Sequence, residues 1–404
     1  MLAQRFRVGH GRLVAALTRR FGVAHFALAE NAAQDAYARA LETWSSGDEP
    51  EDLERWLVRV AHNAMIDALR REPPMEPLET RENPVDTQID EPEFDSDDEI
   101  RLMFLCCDPT LARAAQIALV LNIAFGLTAR QISVAFLSDE RTVAQRIVRA
   151  KSRLRAEGVR FDVPPHDALP ARLAAVLDVL YIVFSEGYSP SLGEAAFDVG
   201  FCNDALRLVR LLTERAVTAS PSAFALRALL CLHASRAPAR LADDGSLLLM
   251  PEQDRARWDA SLVVEAFRCL GDAGAGKELT RYHIEAAIAA CHAIAPTYAG
   301  ADWPRIVDLY DVLRELAPSL VIDVSRALAM AMKSGARAGL DELDAIPERA
   351  VLARYPYGLA AYADLHASLG DLDAARSYLD TALEHQSSGA QLALLKRKRA
   401  ALER

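Results

Sequence analysis

The sequence has few of the features that mark secreted, membrane-bound or metal-dependent proteins. Its six cysteines, Cys106, Cys107, Cys202, Cys231, Cys269 and Cys291, include no C-x-x-C pair, so they read as free, mostly buried thiols of a reducing compartment. Cys106 and Cys107 stand beside Asp108, yet no second group of ligand residues lies at a spacing that would close a metal site. No metal and no other cofactor is expected. No apolar run reaches the roughly 18 residues that a membrane helix requires, and a signal-peptide pattern is missing; the expectation is a cytoplasmic protein with no membrane partner. Catalytic signatures are scarce too. His166, His233, His283 and His292 are dispersed, G-x-S-x-G is missing, and D-A-G-A-G-K after Gly271 lacks the spacing and the preceding strand of a phosphate loop. It reads as a loop between helices, and no enzymatic activity is expected. A sustained alternation of β-branched residues is absent as well. What is abundant is Ala, Leu and Arg at helical spacing, with 51% hydrophobic residues overall, and the fold class read from this is all-α. At about 150 residues per domain the length allows two to four units.

Acidic residues are missing from one place in particular. The net charge is -11, but from Arg101 to Arg160 bases outnumber acids ten to four, while Glu72–Glu99 holds twelve carboxylates and one arginine. Within the basic part, Gly126–Arg155 reads as a helix-turn-helix. Thr128 caps a first helix through Phe136, with Leu127, Ile132, Ala135 and Phe136 inward. Leu137, Ser138 and Asp139 break the pattern, and Asp139 or Ser138 caps the second helix. There Val143, Ile147, Ala150 and Leu154 alternate spacings of four and three along one stripe. Arg141, Gln145, Arg146, Arg149 and Arg153 are left outside, and no acid occurs between Arg141 and Arg155. Such a helix fits a B-DNA major groove, its first turns reaching base edges and its later arginines reaching phosphates.

Residues 1–72 read as a compact helical unit with helices at Gly11–Phe21, Leu28–Trp44 and Leu53–Arg71. On the third, Trp56, Val60, Asn63 and Asp67 fall near one line, opposite a core side of Leu57, Ala61, Ala64 and Ala68. Residues 73–99, with Pro73, Pro74, Pro77, Pro84 and Pro92, read as an acidic linker that cannot hold a continuous helix or a packed core. Residues 161–170 contain Pro164, Pro165 and Pro170 and read as a hinge. Helical patterns fill 171–404. Two segments there have repeat character: Tyr357–Glu384, with Gly370, Ala375 and Ala382 at small-residue positions, and Trp303–Pro318, with Tyr310, Leu313 and Pro318. The basic run Lys396–Arg399 reads as a solvated helix end that complements the helix dipole.

The strings A-E-N-A-A-Q-D-A-Y-A-R-A-L-E at Ala29–Glu42, W-L-V-R-V-A-H-N-A-M-I-D-A-L-R-R at Trp56–Arg71 and the helix-turn-helix occur in this order and at spacings that resemble an extracytoplasmic-function sigma factor, a group IV member of the sigma-70 family. The likeness extends to the group with a tetratricopeptide-like C-terminal extension, through D-D-E-I-R-L-M-F-L-C-C-D-P at Asp97–Pro109, V-L-Y-I-V-F-S-E-G-Y at Val179–Tyr188 and P-E-Q-D-R-A-R-W-D at Pro251–Asp259. The sequence departs from the commoner pattern at Leu137, where many relatives place Gly, and at Asp108, where close relatives often carry His.

The resemblance implies a division of labour. Residues 1–72 are then sigma region 2 and 100–160 region 4, joined by a linker that passes through the polymerase channel and mimics RNA charge. The implied partners are RNA polymerase core enzyme, through its clamp helices and flap, promoter DNA, and a regulatory protein on the C-terminal domain. Gln34 and Asp35 face the clamp helices. Trp56, His62, Asn63, Asp67, Arg70 and Arg71 meet the −10 element, where a base is held out of the stack. The −35 element falls to Arg141, Thr142, Gln145, Arg146, Arg149, Lys151 and Arg153. The rival reading is a helical-repeat adaptor or ligand-sensing regulator that binds operator DNA by itself as a dimer, which has no use for the acidic linker or the Trp56–Arg71 helix.

Overall fold

The structure, a computed structural model, describes residues 2–44, 52–71, 96–135, 139–190, 197–386 and 388–403. The described residues form nineteen α-helices and no strand, only an isolated bridge between Leu241 and Leu247. The all-α class is borne out. The chain divides into two compact units, residues 1–180 and 181–404.

The first unit contains α1 (Leu2–Phe21), α2 (Phe26–Trp44), α3 (Leu53–Arg71), α4 (Ser96–Cys106), α5 (Arg113–Ile123), α6 (Ala129–Ala135), α7 (Glu140–Ala156) and the start of α8 (Leu169–Tyr188). The sequence treats 1–72 and 100–160 as separate domains. In the structure they belong to one unit, and α1 is the reason. Its apolar side (Leu13, Val14, Leu17) is fully buried, and its arginines meet acids of α4: Arg12 with Glu99 at 3.3 Å and Arg19 with Asp98 at 3.2 Å. Gly11 permits the approach to the end of α5, because a Cβ there would stand 2.6 Å from the Ala124 carbonyl oxygen. The acids Asp97, Asp98 and Glu99 lie in the first turn of α4, where the helix dipole favours them, rather than in the linker. The rest of that linker, residues 72–95, lies outside the described residues. On α3 the buried line is Leu57, Val58, Ala61 and Met65, so Met65 takes the place expected for Ala64 and Ala68, which are half-buried.

Residues 161–168 are non-helical, but the two units part later, inside α8. The first turns of α8 are held in the first unit by charge: Arg172 meets Asp108 at 3.1 Å, and Arg113 meets Asp178 at 2.6 Å and donates to the Ala175 carbonyl at 2.8 Å. Arg172 and Asp108 lie far apart in sequence, so nothing local announces their pairing.

The second unit continues with α9 (Val199–Glu214), α10 (Pro221–Ser235), α11 (Ala260–Ala273), α12 (Arg281–Ile294), α13 (Trp303–Leu316), α14 (Leu320–Ser334), α15 (Ala336–Asp344), α16 (Arg349–Leu352), α17 (Pro356–Ser368), α18 (Leu372–His385) and α19 (Gly389–Ala401). The D-A-G-A-G-K stretch is helical through Ala273 and a connection only beyond it. Side-chain caps start most of these helices. Asp198, Ser220, Asp259, Asp302, Ser319 and Asp371 each accept a backbone N–H of the first turn, which stabilises a helix by about 1 kcal/mol apiece. The cores follow one another along the chain. One joins α12, α13 and α14 around Trp303 and Ile306, the next joins α14 to α17 around Leu343 and Tyr362, and the last joins α17, α18 and α19 around Ala375 and Leu379. Gly370, at φ +82°, makes the turn from α17 to α18. Glu265 of α11 accepts from Arg210 of α9 at 2.6 and 2.8 Å and from Arg227 of α10 at 2.8 Å. Those bonds, Arg210 foremost, hold its carboxyl down to about 2.

Candidate nucleic-acid interface

The two helices expected to form a helix-turn-helix, α6 and α7, are each started by a cap. The Thr128 hydroxyl accepts the Gln131 N–H at 3.2 Å, while Gln131 Oε1 accepts the Thr128 N–H at 2.9 Å, a reciprocal capping box that starts α6. Asp139 Oδ2 accepts the Thr142 N–H at 2.8 Å and starts α7. The turn 136–138, with Leu137, lies outside the described residues. Leu127 and Ile132 are buried, as are Val143, Ile147, Ala150 and Leu154, so the stripe expected from spacing forms the inner side of α7. Buried Asn122 donates to the Leu127 carbonyl at 2.9 Å and fixes α5 to the start of the motif.

With that stripe inward, Arg141, Thr142, Gln145, Arg149 and Arg153 are exposed and Arg146 is half-exposed. Arg141, Gln145, Arg149 and Arg153 recur every four residues, a ridge that advances about 6 Å per step along the helix. Arg141, Arg146 and Arg149 have no ion-pair partner among the described residues, and Arg153 has one long exposed contact, to Glu157 at 3.9 Å. Thr142 is exposed, but its hydroxyl donates to Asp139 at 3.1 Å. Lys151 is the exception to the expected set. It forms a short ion pair with Glu30 of α2, both side chains being largely buried, and so leaves the outer face. Its position, four residues after Ile147, puts it at the edge of the buried stripe.

On α3, Asn63, Asp67, Arg70 and Arg71 are exposed, and the first three share one face; Arg70 lies 3.9 Å from Asp67. Trp56 and His62 are half-buried. The His62 ring packs on Phe21 with centroids 5.4 Å apart, and burial and then the Arg20 charge lower its pKa. On α2, Gln34 and Asp35 are exposed, and Gln34 donates to Glu30 at 3.3 Å. Thus the −10 candidates on α3 form a patch, His62 faces α1 instead, and Glu30 links the Gln34 face to α7.

Sequence reasoning missed several groups. Glu30 carries no local signal, since its partner Lys151 comes from a distant helix. Nor does His10, which is fully buried and whose pKa is lowered to about 4 by burial and then by the Lys151 charge. At the C-terminal end of α7, Arg155 and Arg160 line a cavity of about 580 Å³ together with Arg19 and Arg101. Exposed Arg130 at the start of α6 extends the cationic surface, and its place next to the Thr128 cap was the available clue.

The model of sigma-70 region 2 matches residues 8–73, which are α1–α3 and the −10 candidates. Its N-terminal part is thus a sigma-70 region 2 domain. That domain implies interaction with RNA polymerase core enzyme and promoter DNA and supports sigma-like promoter recognition and transcription initiation. A family of unknown function, DUF6596, matches residues 172–274. The chain is also similar to uncharacterized protein R00370 of Rhizobium meliloti (strain 1021), 38% identical over 378 residues, which are 91% of this chain and 88% of that protein. No solved structure matches it. No helix among the described residues is long and apolar enough to cross a membrane.

Proposed function

We propose that this chain is an extracytoplasmic-function sigma factor of the sigma-70 family that directs core polymerase to promoters with its first unit and is modulated by its tetratricopeptide-like second unit. The observation that carries the reading is the ridge of exposed arginines on α7, of which only Arg153 has an acid beside it among the described residues, in the same unit as the region 2 helices. Residues of α7 read the −35 element: Arg141 and Gln145 at base edges, Arg149 and Arg153 at phosphates, with the flap of polymerase as a further contact. Asn63, Asp67, Arg70 and Arg71 hold the opened −10 strand, and Gln34 and Asp35 engage the clamp helices. The linker follows the path of nascent RNA. The protein acts by binding in the cytoplasm, not by catalysis, and a regulatory protein is a further partner for the second unit. Serial helix pairs suit that role, because stacked pairs present extended surfaces to other proteins.

The test is reconstitution. Core polymerase plus this chain should start transcription at a cognate promoter while either alone does not, and Gln34→Ala with Asp35→Ala should weaken co-purification with core. Footprinting of duplex DNA by the chain alone, with no dependence on core, would instead support a self-sufficient operator-binding regulator. Truncation after Pro170 removes the second unit together with most of α8, so the cleaner test of modulation keeps 1–180. Equal promoter output from 1–180 and full-length chain at matched abundance would refute modulation.

A further inference from the structure

The second unit contains a half-open cavity of about 580 Å³, bounded by the end of α8, α10, α12, α13 and α14, within the range of small-molecule sites. Its lining separates into two parts. Ile288, Leu313, Ile322 and Tyr310 supply an apolar wall. Arg236, His233, His292 and Trp258 supply the polar part. Buried polar atoms nearly always find partners, yet His233 Nδ1, His292 Nδ1 and Trp258 Nε1 are buried without one. All three side chains border the cavity, with these atoms set just behind its surface.

Charge points the same way. The Arg281 guanidinium in this cavity is neutralised by Glu285 at 3.0 Å and lies over the Tyr181 ring at 4.4 Å. Arg236 has no carboxylate among the described residues. Its Nε donates to Gln253 Oε1 at 3.1 Å and its guanidinium stands 5.6 Å from the centre of the Trp258 ring. An arginine stays protonated even when burial disfavours its charge, so the cavity keeps an uncompensated cation. The two histidines beside it are neutral at pH 7, since burial and then the Arg236 charge lower His292 to about 4, and burial with the Arg236, Arg240 and His292 charges lowers His233 to about 3. A neutral imidazole donates or accepts one hydrogen bond without adding charge. We infer that this cavity binds a small organic anion, its carboxylate, phosphate or sulfonate group on Arg236 and its planar or apolar body against Tyr310, Trp258 and Ile288. A guanidinium fork suits such a head group, and a volume of about 580 Å³ matches a small molecule.

The experiment uses the full-length chain and two fluorescent probes, 8-anilinonaphthalene-1-sulfonate and its uncharged analogue N-phenyl-1-naphthylamine. The sulfonate should bind saturably with one site per chain. Arg236→Gln should weaken it at least tenfold and change the uncharged probe less than twofold, Arg236→Lys should restore much of the loss, and Ala289→Phe, which fills the cavity, should abolish both. Circular dichroism and melting curves check that each variant is folded; should Arg236→Gln not fold, Arg236→Lys and Ala289→Phe decide between the outcomes. Non-saturable binding, binding that survives Ala289→Phe, or equal weakening of both probes by Arg236→Gln would overturn the inference. Inorganic phosphate and benzoate as competitors then separate a bare anion site, cleared by phosphate alone, from the proposed site, which requires the ring. Displacement by phosphate but not benzoate also contradicts it.

Discussion

Arg141, Arg146 and Arg149 of α7 stand outward without an acid beside them among the described residues, whereas three of the four basic residues of α19 are each held by a carboxylate. Arg397 meets Glu252 at 2.9 Å, Lys398 meets Asp364 at 2.6 Å and Arg399 meets Asp380 at 2.8 Å. Three cations of the run at the end of the chain therefore fasten α19 to its own unit, while Lys396 stays exposed. A cation that serves the fold brings its counter-charge with it. A cation that serves a polyanion leaves that place to the phosphate, and gains from counterion release when the DNA arrives.

Lys151 sharpens this contrast most, because it lies on α7 but behaves like a residue of α19. Lys151→Ala leaves Glu30 buried without its partner and should cost about 3–5 kcal/mol, read by denaturant unfolding, while the dependence of promoter binding on salt stays that of the parent. A shallower salt dependence with unchanged stability would return Lys151 to the DNA face. Next in size, replacing Arg141, Arg149 and Arg153 together by Ala should weaken promoter binding by holoenzyme about 100-fold or more and flatten the salt slope by roughly one for each phosphate no longer neutralised, with the melting temperature nearly unchanged.

Acid tests the interior of the same unit. His10 is neutral when folded, with its pKa at about 4, and near 6.5 when unfolded. Its folded pKa is depressed, so the unfolded chain takes up the proton first and stability falls as the pH drops from 6.5 towards 4. At pH 5 the loss is about 2 kcal/mol. The difference in stability between parent and His10→Leu, measured at pH 7 and pH 5, should shift by that amount in favour of the variant. The smallest effect belongs to α19, where each of Arg397→Ala, Lys398→Ala and Arg399→Ala should cost only about 0–1 kcal/mol because the pairs are partly exposed, and none should alter the salt slope.

Local information reached a long way in this chain. The stripe Val143, Ile147, Ala150 and Leu154, the caps at Thr128 and Asp139 and the outward arginines follow from helical spacing and hydrogen-bond chemistry inside thirty residues. The contacts that sequence did not foretell all join distant segments. Glu30 with Lys151, Arg172 with Asp108 and Arg397 with Glu252 each need the fold before the pair can be seen. The cavity around Arg236 was hidden for the same reason, since it draws on five helices, and its histidines looked merely dispersed. The division inside α8 was obscured by prolines at 164, 165 and 170, which mark where a helix can start more reliably than where one unit ends.

Sigma activity of the proposed kind requires α7 to read promoter sequence while polymerase is bound. A library of promoters varied through the −35 element, transcribed by core polymerase with either the parent chain or Arg141→Ala, tests this directly. Loss of a base contact should relax preference at one position of the element by about 1–3 kcal/mol and leave the others in rank. An identical ranking of all −35 variants by parent and Arg141→Ala would contradict it.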